Sequence, residues 1–250
     1  MTLRLIRLPL HLSYLARWAA ARGWVQRNGF DEGRALHHLL TETFGKAAVQ
    51  PFRLLVPPRS DAGSLYAYSV APAAALRSMA AAIALPEHLA VLDLAQLQEK
   101  PMPTAWAIGQ TLGFDLITRP TRRLNAPLGG FAKGAELDAF LAHVLHAHPE
   151  APSETQEANR EAIYLEWLGE RFAGAARLLP DQSRLVQFQR TRVARGSAAV
   201  EGPEATFHGT MEITDPARFA DLLARGVGRH RAYGYGMLLL RAPNRPPPQR

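Results

Sequence analysis

The sequence contains no cysteine, which excludes disulfides and thiolate metal sites and makes a reducing compartment the simplest setting. Lysine is nearly absent: Lys46, Lys100 and Lys133 are the only three in 250 residues. No apolar run approaches the ~20 residues that a membrane helix needs. Residues 1–10 alternate charge with leucine and lack the basic head and long apolar stretch of a secretion signal, so a cytoplasmic protein off the membrane is expected. There is no Gly-Lys-Ser/Thr phosphate loop and no His-Glu-x-x-His zinc helix. Nor do paired carboxylates suggest a two-metal nuclease. The expectation is therefore no metal and no cofactor.

What is present is arginine and apolar surface. Hydrophobic residues make up 47% of the chain, enough for a folded protein with a substantial core. The formal net charge is +7, and nearly all the positive charge is guanidinium. Arginine offers a planar donor fork that suits phosphate and stacks on bases. A polyanion partner is one reading of that balance; the compositional bias of an Ala- and Arg-rich genome is the other.

Periodicity predicts strands over 2–8, 52–56, 65–70, 114–119, 184–193, 205–213 and 237–241, with a further short strand over 90–94. It predicts helices over 12–21, 31–44, 71–85, 136–146, 157–172 and 215–225. In the second of these, Asp31 caps the start, Leu36, Leu39 and Leu40 form the apolar stripe, and Gly45 ends it. Residues 121–134 read as a basic loop. Strand pairs joined by hairpins favour α+β over a doubly wound sheet. A coarse repeat of strand, helix, strands, helix and strand suggests tandem ferredoxin-like units with a helical insertion in the second: residues 1–113, then 114–242, then a disordered Pro- and Arg-rich tail, 243–250.

The most informative stretch is 225–236, Arg-Gly-Val-Gly-Arg-His-Arg-Ala-Tyr-Gly-Tyr-Gly, followed by an apolar run. Gly226, Gly228, Gly234 and Gly236 let backbone approach a ligand closely. Arg229, His230, Arg231 and Tyr233 are interleaved with them, a mixture that suits a phosphate backbone and stacked bases. A dinucleotide loop fails here, because the third glycine is replaced by Arg231 and a strand follows instead of a helix. A basic but purely structural helix-to-strand turn remains the alternative.

This pattern, a helix opened by Asp215-Pro216, then GxGxxxxxGxG, then a hydrophobic strand, resembles the RAMP proteins of CRISPR systems. In detail it resembles the CasE family of repeat-processing endoribonucleases. "DEGRALHHLLTETFG" near the front and the basic loop ending "KGAELDAFL" are similar in style. The resemblance implies two ferredoxin-like domains side by side and a CRISPR precursor transcript as substrate. It implies a cut at the 3′ base of each repeat hairpin, retention of the hairpin, and assembly with other subunits of a CRISPR effector complex. Both a type I-E complex and a related type IV processing system fit, and a guide-RNA-binding subunit that does not cut is the alternative to the enzyme.

Metal-free RNA cleavage needs a base for the 2′-hydroxyl, an acid for the leaving 5′ oxygen, and cations for the transition state. His37 and His38 lie on the predicted helix 31–44, with Arg34 one turn before His37 on the same face. In the resembled family the catalytic histidine sits on this helix, one turn after a tyrosine; His37 takes that place and Arg34 stands where the tyrosine is expected. These three are the catalytic candidates, and ordinary surface histidines are the alternative. Arg119, Arg122, Arg123 and Lys133 around the basic loop, and Arg190 and Arg192 on one face of a strand, are candidate RNA contacts. His143, His146 and His148 read as a solvated helix end rather than a metal cluster.

Overall fold

A computed structural model describes residues 2–26, 29–147, 159–195 and 198–243. The tail predicted over 243–250 lies outside the described residues from position 244 onward, as does His148. The elements run β1 (Arg4–His11), α1 (Leu12–Ala21), β2 (Val25–Gln26), β3 (Gly29–Phe30), α2 (Glu32–Phe44), β4 (Phe52–Leu55), β5 (Ala62–Ser69), α3 (Ala73–Ile83), α4 (Pro86–Val91) and β6 (Gln98–Pro101). They continue with β7 (Thr111–Thr118), β8 (Thr121–Arg123), β9 (Glu136–Asp138), α5 (Ala139–Ala147), α6 (Arg160–Phe172), β10 (Ala176–Arg195), β11 (Ala198–Ile213), α7 (Pro216–Arg225) and β12 (Leu239–Arg241).

Two four-stranded antiparallel sheets result, ordered β4-β5-β1-β6 and β10-β11-β7-β12. Each is the order of a ferredoxin-like unit, in which the first strand lies centrally and the fourth flanks it. The expected α+β tandem is therefore the architecture. α1 and the β2–β3 hairpin are inserted before the first unit's helix, and β8, β9 and α5 before the second's. The 113/114 division proposed from the sequence falls inside β7, the first strand of the second sheet.

Strand alternation explains how the sheets meet. On β1, Ile6, Leu8 and Leu10 point to α2 and α3 and join Leu36, Leu39, Leu76 and Ala80 in the first core. Leu3, Leu5, Tyr66 and Tyr68 point the other way and pack with the second core, around Phe114, Trp167 and Phe207. The Tyr68 hydroxyl donates to the Leu238 carbonyl at 2.8 Å, so the first sheet is fastened to the second unit through a buried hydrogen bond.

Three local readings change. Residues 86–91 form helix α4 and only Leu92 makes a strand-like bridge, because Pro86 at the first position favours a helical start. Residues 136–138 are strand, not helix: β9 pairs with β8 and turns the basic loop into a hairpin before α5 begins. The strands predicted over 184–193 and 205–213 extend into one long β10–β11 hairpin, with register shifts near 179–187 that the alternation pattern does not reveal.

Candidate functional site

α2 starts as the sequence predicts. The Asp31 carboxylate accepts from the Arg34 N–H at 2.9 Å, and Gly45 closes the helix with φ of 85°. Its apolar stripe turns Leu36, Leu39 and Leu40 inward, which leaves Arg34, His37 and His38 half-buried on the rest of the helix surface.

The two candidate segments meet. The His37 ring lies 5.1 Å from the Tyr233 ring, and 5.3 Å from His38. His38 in turn stacks on Trp24, with ring centroids 4.6 Å apart, and the Arg34 guanidinium lies 5.1 Å from the same indole. The β2–β3 insertion thus braces α2 with a tryptophan that periodicity does not single out. Burial holds both imidazoles below the usual histidine range, and His37 and Arg34 lower His38 further. Both are therefore neutral at pH 7, and a neutral imidazole can accept a proton.

Beside this seam, a cleft of about 1190 Å³ opens between α2, β4 and the β10–β11 hairpin. Arg34, Arg53, Arg190, His208 and Tyr233 face it. Arg53 of β4 is paired with Asp115 of β7, and His208 Nε2 lies 3.2 Å from the same carboxylate. Asp115 and His208 escaped the sequence reading because their proximity depends on strand register across two sheets.

In the glycine-rich segment, Gly226 and Gly228 both adopt left-handed φ, and the Val227 N–H donates to the Gly236 carbonyl at 2.7 Å to close the loop base. Arg229 and His230 turn to one carboxylate: Arg229 Nε is 3.1 Å and His230 Nε2 2.7 Å from Glu136 of β9. Those contacts, with a hydrogen bond from Thr121, hold Glu136 down at about 2 despite its burial. Arg231 donates to the Arg225 carbonyl at 2.9 Å.

The remaining arginines divide. Arg119 is 3% exposed, so it is an internal brace instead of the surface contact expected. Its guanidinium donates to the carbonyls of Pro203 and Thr191 and lies over the Tyr235 ring. Arg122 makes a bidentate pair with Glu170 at 2.9 and 2.7 Å, and Arg123 donates to the Gly134 carbonyl at 3.2 Å. Arg122, Arg123, Arg171 and Arg229 nevertheless surround a second recess of about 710 Å³, and Lys133 is exposed near by. Arg190 is 54% exposed and pairs loosely with Glu201 and Asp138 at 3.6 and 3.9 Å. Arg192 follows on the same strand, with its side chain outside the described residues.

His146 Nδ1 lies 2.6 Å from the Ala142 carbonyl within its own helix. Among the described residues, no three metal-ligating side chains gather, and no helix is long and apolar enough to cross a membrane.

A family model described as "CRISPR associated protein" matches residues 5–242. No curated protein matches the sequence. Among solved structures, Cse3 of Thermus thermophilus bound to an RNA representing a pre-cleavage complex is 22% identical, with 96% of this chain and 100% of that chain covered at a TM-score of 0.66. CRISPR endoribonuclease Cse3 bound to a 19-nucleotide RNA is 21% identical over 97% of this chain and 100% of the other, with a TM-score of 0.66. The CRISPR-associated protein Cas6e of Escherichia coli is 16% identical over 96% and 100%, with a TM-score of 0.55. These likenesses establish the tandem fold.

Proposed function

The chain belongs to the family of CRISPR-associated proteins, and from that premise we propose that it is a metal-independent endoribonuclease that cuts CRISPR precursor transcripts at the base of the repeat hairpin. It keeps the hairpin of the mature guide RNA and delivers it to other subunits of an effector complex. The observation that carries this reading is the contact of His37 with Tyr233, which joins the candidate catalytic helix to the glycine-rich segment. That the solved relatives of the same fold include an endoribonuclease bound to RNA supports it.

The chemistry follows from the side chains at the seam. Neutral His37 takes the proton of the 2′-hydroxyl at the cleavage site. The 2′ oxygen then attacks the adjacent phosphorus, and the P–O5′ bond breaks on the opposite side. The leaving 5′ oxygen takes its proton from a water molecule, and His38, neutral like His37 and beside it, stands as the alternative proton acceptor. Arg34 neutralises the charge that builds on the non-bridging oxygens. The products are a 2′,3′-cyclic phosphate and a 5′-hydroxyl. Arg122, Arg123, Lys133, Arg190 and Arg229 supply phosphate contacts along the hairpin, the usual way A-form RNA is held.

The test is purified protein with its own repeat hairpin in excess EDTA, the products being sized and end-mapped. One cut at the stem base with a cyclic phosphate end is expected. Tight binding without any cut would convert the reading to a guide-RNA-binding subunit, and a cut that EDTA abolishes would overturn the metal-free chemistry.

A further inference from the structure

His208 on β11 and Asp115 on β7 are directly opposed in an antiparallel pair, so both side chains leave the same face of the second sheet. That face is the floor of the large cleft. Asp115 takes His208 Nε2 on one oxygen and the Arg53 guanidinium on the other. Side-chain exposure is 12% for Arg53, 19% for Asp115 and 28% for His208, and Arg53 and His208 line the cleft. The proton-transfer scheme above uses none of the three.

The charges around this imidazole do not balance. Arg184, its cross-strand partner on β10, and Arg241 on β12 both lie close enough to disfavour its protonation, and Arg53 stands behind Asp115. Among the described residues, Asp115 is the one carboxylate found to act on it. Glu204, on the same face of β11, is engaged by Tyr235 and Gln189. Two guanidiniums therefore act on the histidine and a third, Arg53, on the carboxylate that faces it. Burial and the Arg241 and Arg184 charges outweigh Asp115 and leave His208 below the usual histidine range. An anion placed on Nδ1 would reverse that balance.

We propose that this floor binds one backbone phosphodiester of unpaired RNA, held by His208, Arg53 and Arg184, with Asp115 orienting the imidazole. The proposal rests on the RNA reading given above. Duplex is disfavoured by shape: a rigid A-form helix carries its phosphates on a convex surface, which cannot press onto a recessed floor between two sheets. A flexible strand flanking the hairpin can thread the cleft, past Arg34 and Arg190 at its rim. The bound phosphate favours the imidazolium, so binding takes up a proton and weakens as pH rises.

The experiment is fluorescence anisotropy on the full chain at fixed salt, with two RNAs: the repeat hairpin carrying its unpaired flanks, and the same hairpin trimmed to its stem and loop. Affinities are read at about pH 5.5 and about pH 8, either side of the ordinary imidazole range. His208→Gln should bind the flanked RNA about tenfold more weakly at the lower pH, as expected for loss of a charged hydrogen bond. It should also lose the pH dependence and bind the trimmed hairpin as the wild type does, which doubles as the control for folding. Arg184→Gln, an exposed position outside the inter-sheet pair, should weaken the flanked RNA about threefold. Wild-type behaviour of His208→Gln on the flanked RNA at both pH values would overturn the proposal while leaving RNA binding intact. Failure of the wild type to bind either RNA would remove the RNA reading and this site with it.

Discussion

Gly33 of α2 sits against the main chain of Tyr233: a Cβ added to Gly33 would lie 2.5 Å from the Tyr233 carbonyl oxygen. Two segments separated by most of the chain are thus in backbone contact at the point where the candidate catalytic helix meets the glycine-rich loop. Gly33→Ala sets two effects against each other. Alanine favours a helix over glycine by at most about 1 kcal/mol, and less in the first turn. The clash is with backbone, which cannot rotate away, and overpacking of this kind costs about 1–3 kcal/mol. The clash wins. The variant should melt lower and cut at least tenfold more slowly, because His37 loses its place against Tyr233; thermal melts and a single-turnover assay check both.

His37→Ala should lower the cleavage rate by about 10²–10⁴-fold, the range for loss of a proton-transfer group, and spare hairpin affinity. The pH profile carries a sign. Burial lowers the His37 pKa, so the base remains unprotonated below the usual 6.5. The wild-type rate should therefore stay flat from neutral pH down past 6.5 and fall only at more acid pH. A wild-type fall centred above 6.5 would point to a different base. Single-turnover rates across that range decide.

Glu136 anchors the glycine-rich loop through His230, Thr121 and Arg229, which hold its carboxyl at about 2 against an ordinary 4.5. A carboxyl depressed in the folded state adds stability that is fully present above 4.5 and is lost as pH falls toward 2. Glu136→Gln removes that contribution at neutral pH. The variant should be less stable by about 1–3 kcal/mol at pH 7, and the gap to wild type should close through the acid window. Denaturant melts at several pH values measure it.

Much of this was legible before the structure. The Asp31 cap, the leucine stripe of α2, the Asp215-Pro216 start of α7 and the glycine spacing are local signals, and each element begins where its signal lies. What escaped depends on tertiary register. Nothing in the sequence around Asp115 announces that β11 will place His208 opposite it, or that β4 will bring Arg53 to the same carboxylate. Glu136 reads as the start of a helix because α5 follows directly; pairing with β8 claims it for a strand and aims it at the loop. Trp24 reads as an isolated aromatic until α2 turns His38 and Arg34 toward it.

Arg119 and Arg122 show the same limit most sharply, since three residues apart they are chemically identical in sequence and opposite in environment. The Arg119 guanidinium is buried on two carbonyls, and it passes so close to Gly202 that a Cβ there would lie 2.1 Å from Nη2. Arg119→Met keeps the volume but leaves the carbonyls of Pro203 and Thr191 without their donor, which costs about 1–3 kcal/mol for each buried group left unsatisfied. Arg122 pairs with Glu170 where both side chains are at least a third exposed. Solvent screens that pair, so Arg122→Ala should cost under about 1 kcal/mol. The order reverses for RNA. A phosphate contact releases counterions, so losing one lowers the slope of log affinity against log salt by about one unit. Arg122→Ala should show that drop, whereas Arg119→Met, internal to the protein, should keep the wild-type slope. Denaturant melts and salt titrations on the same two variants measure the pair of effects. A slope change for Arg119→Met with no loss of stability would mean that its guanidinium leaves the interior to meet the RNA.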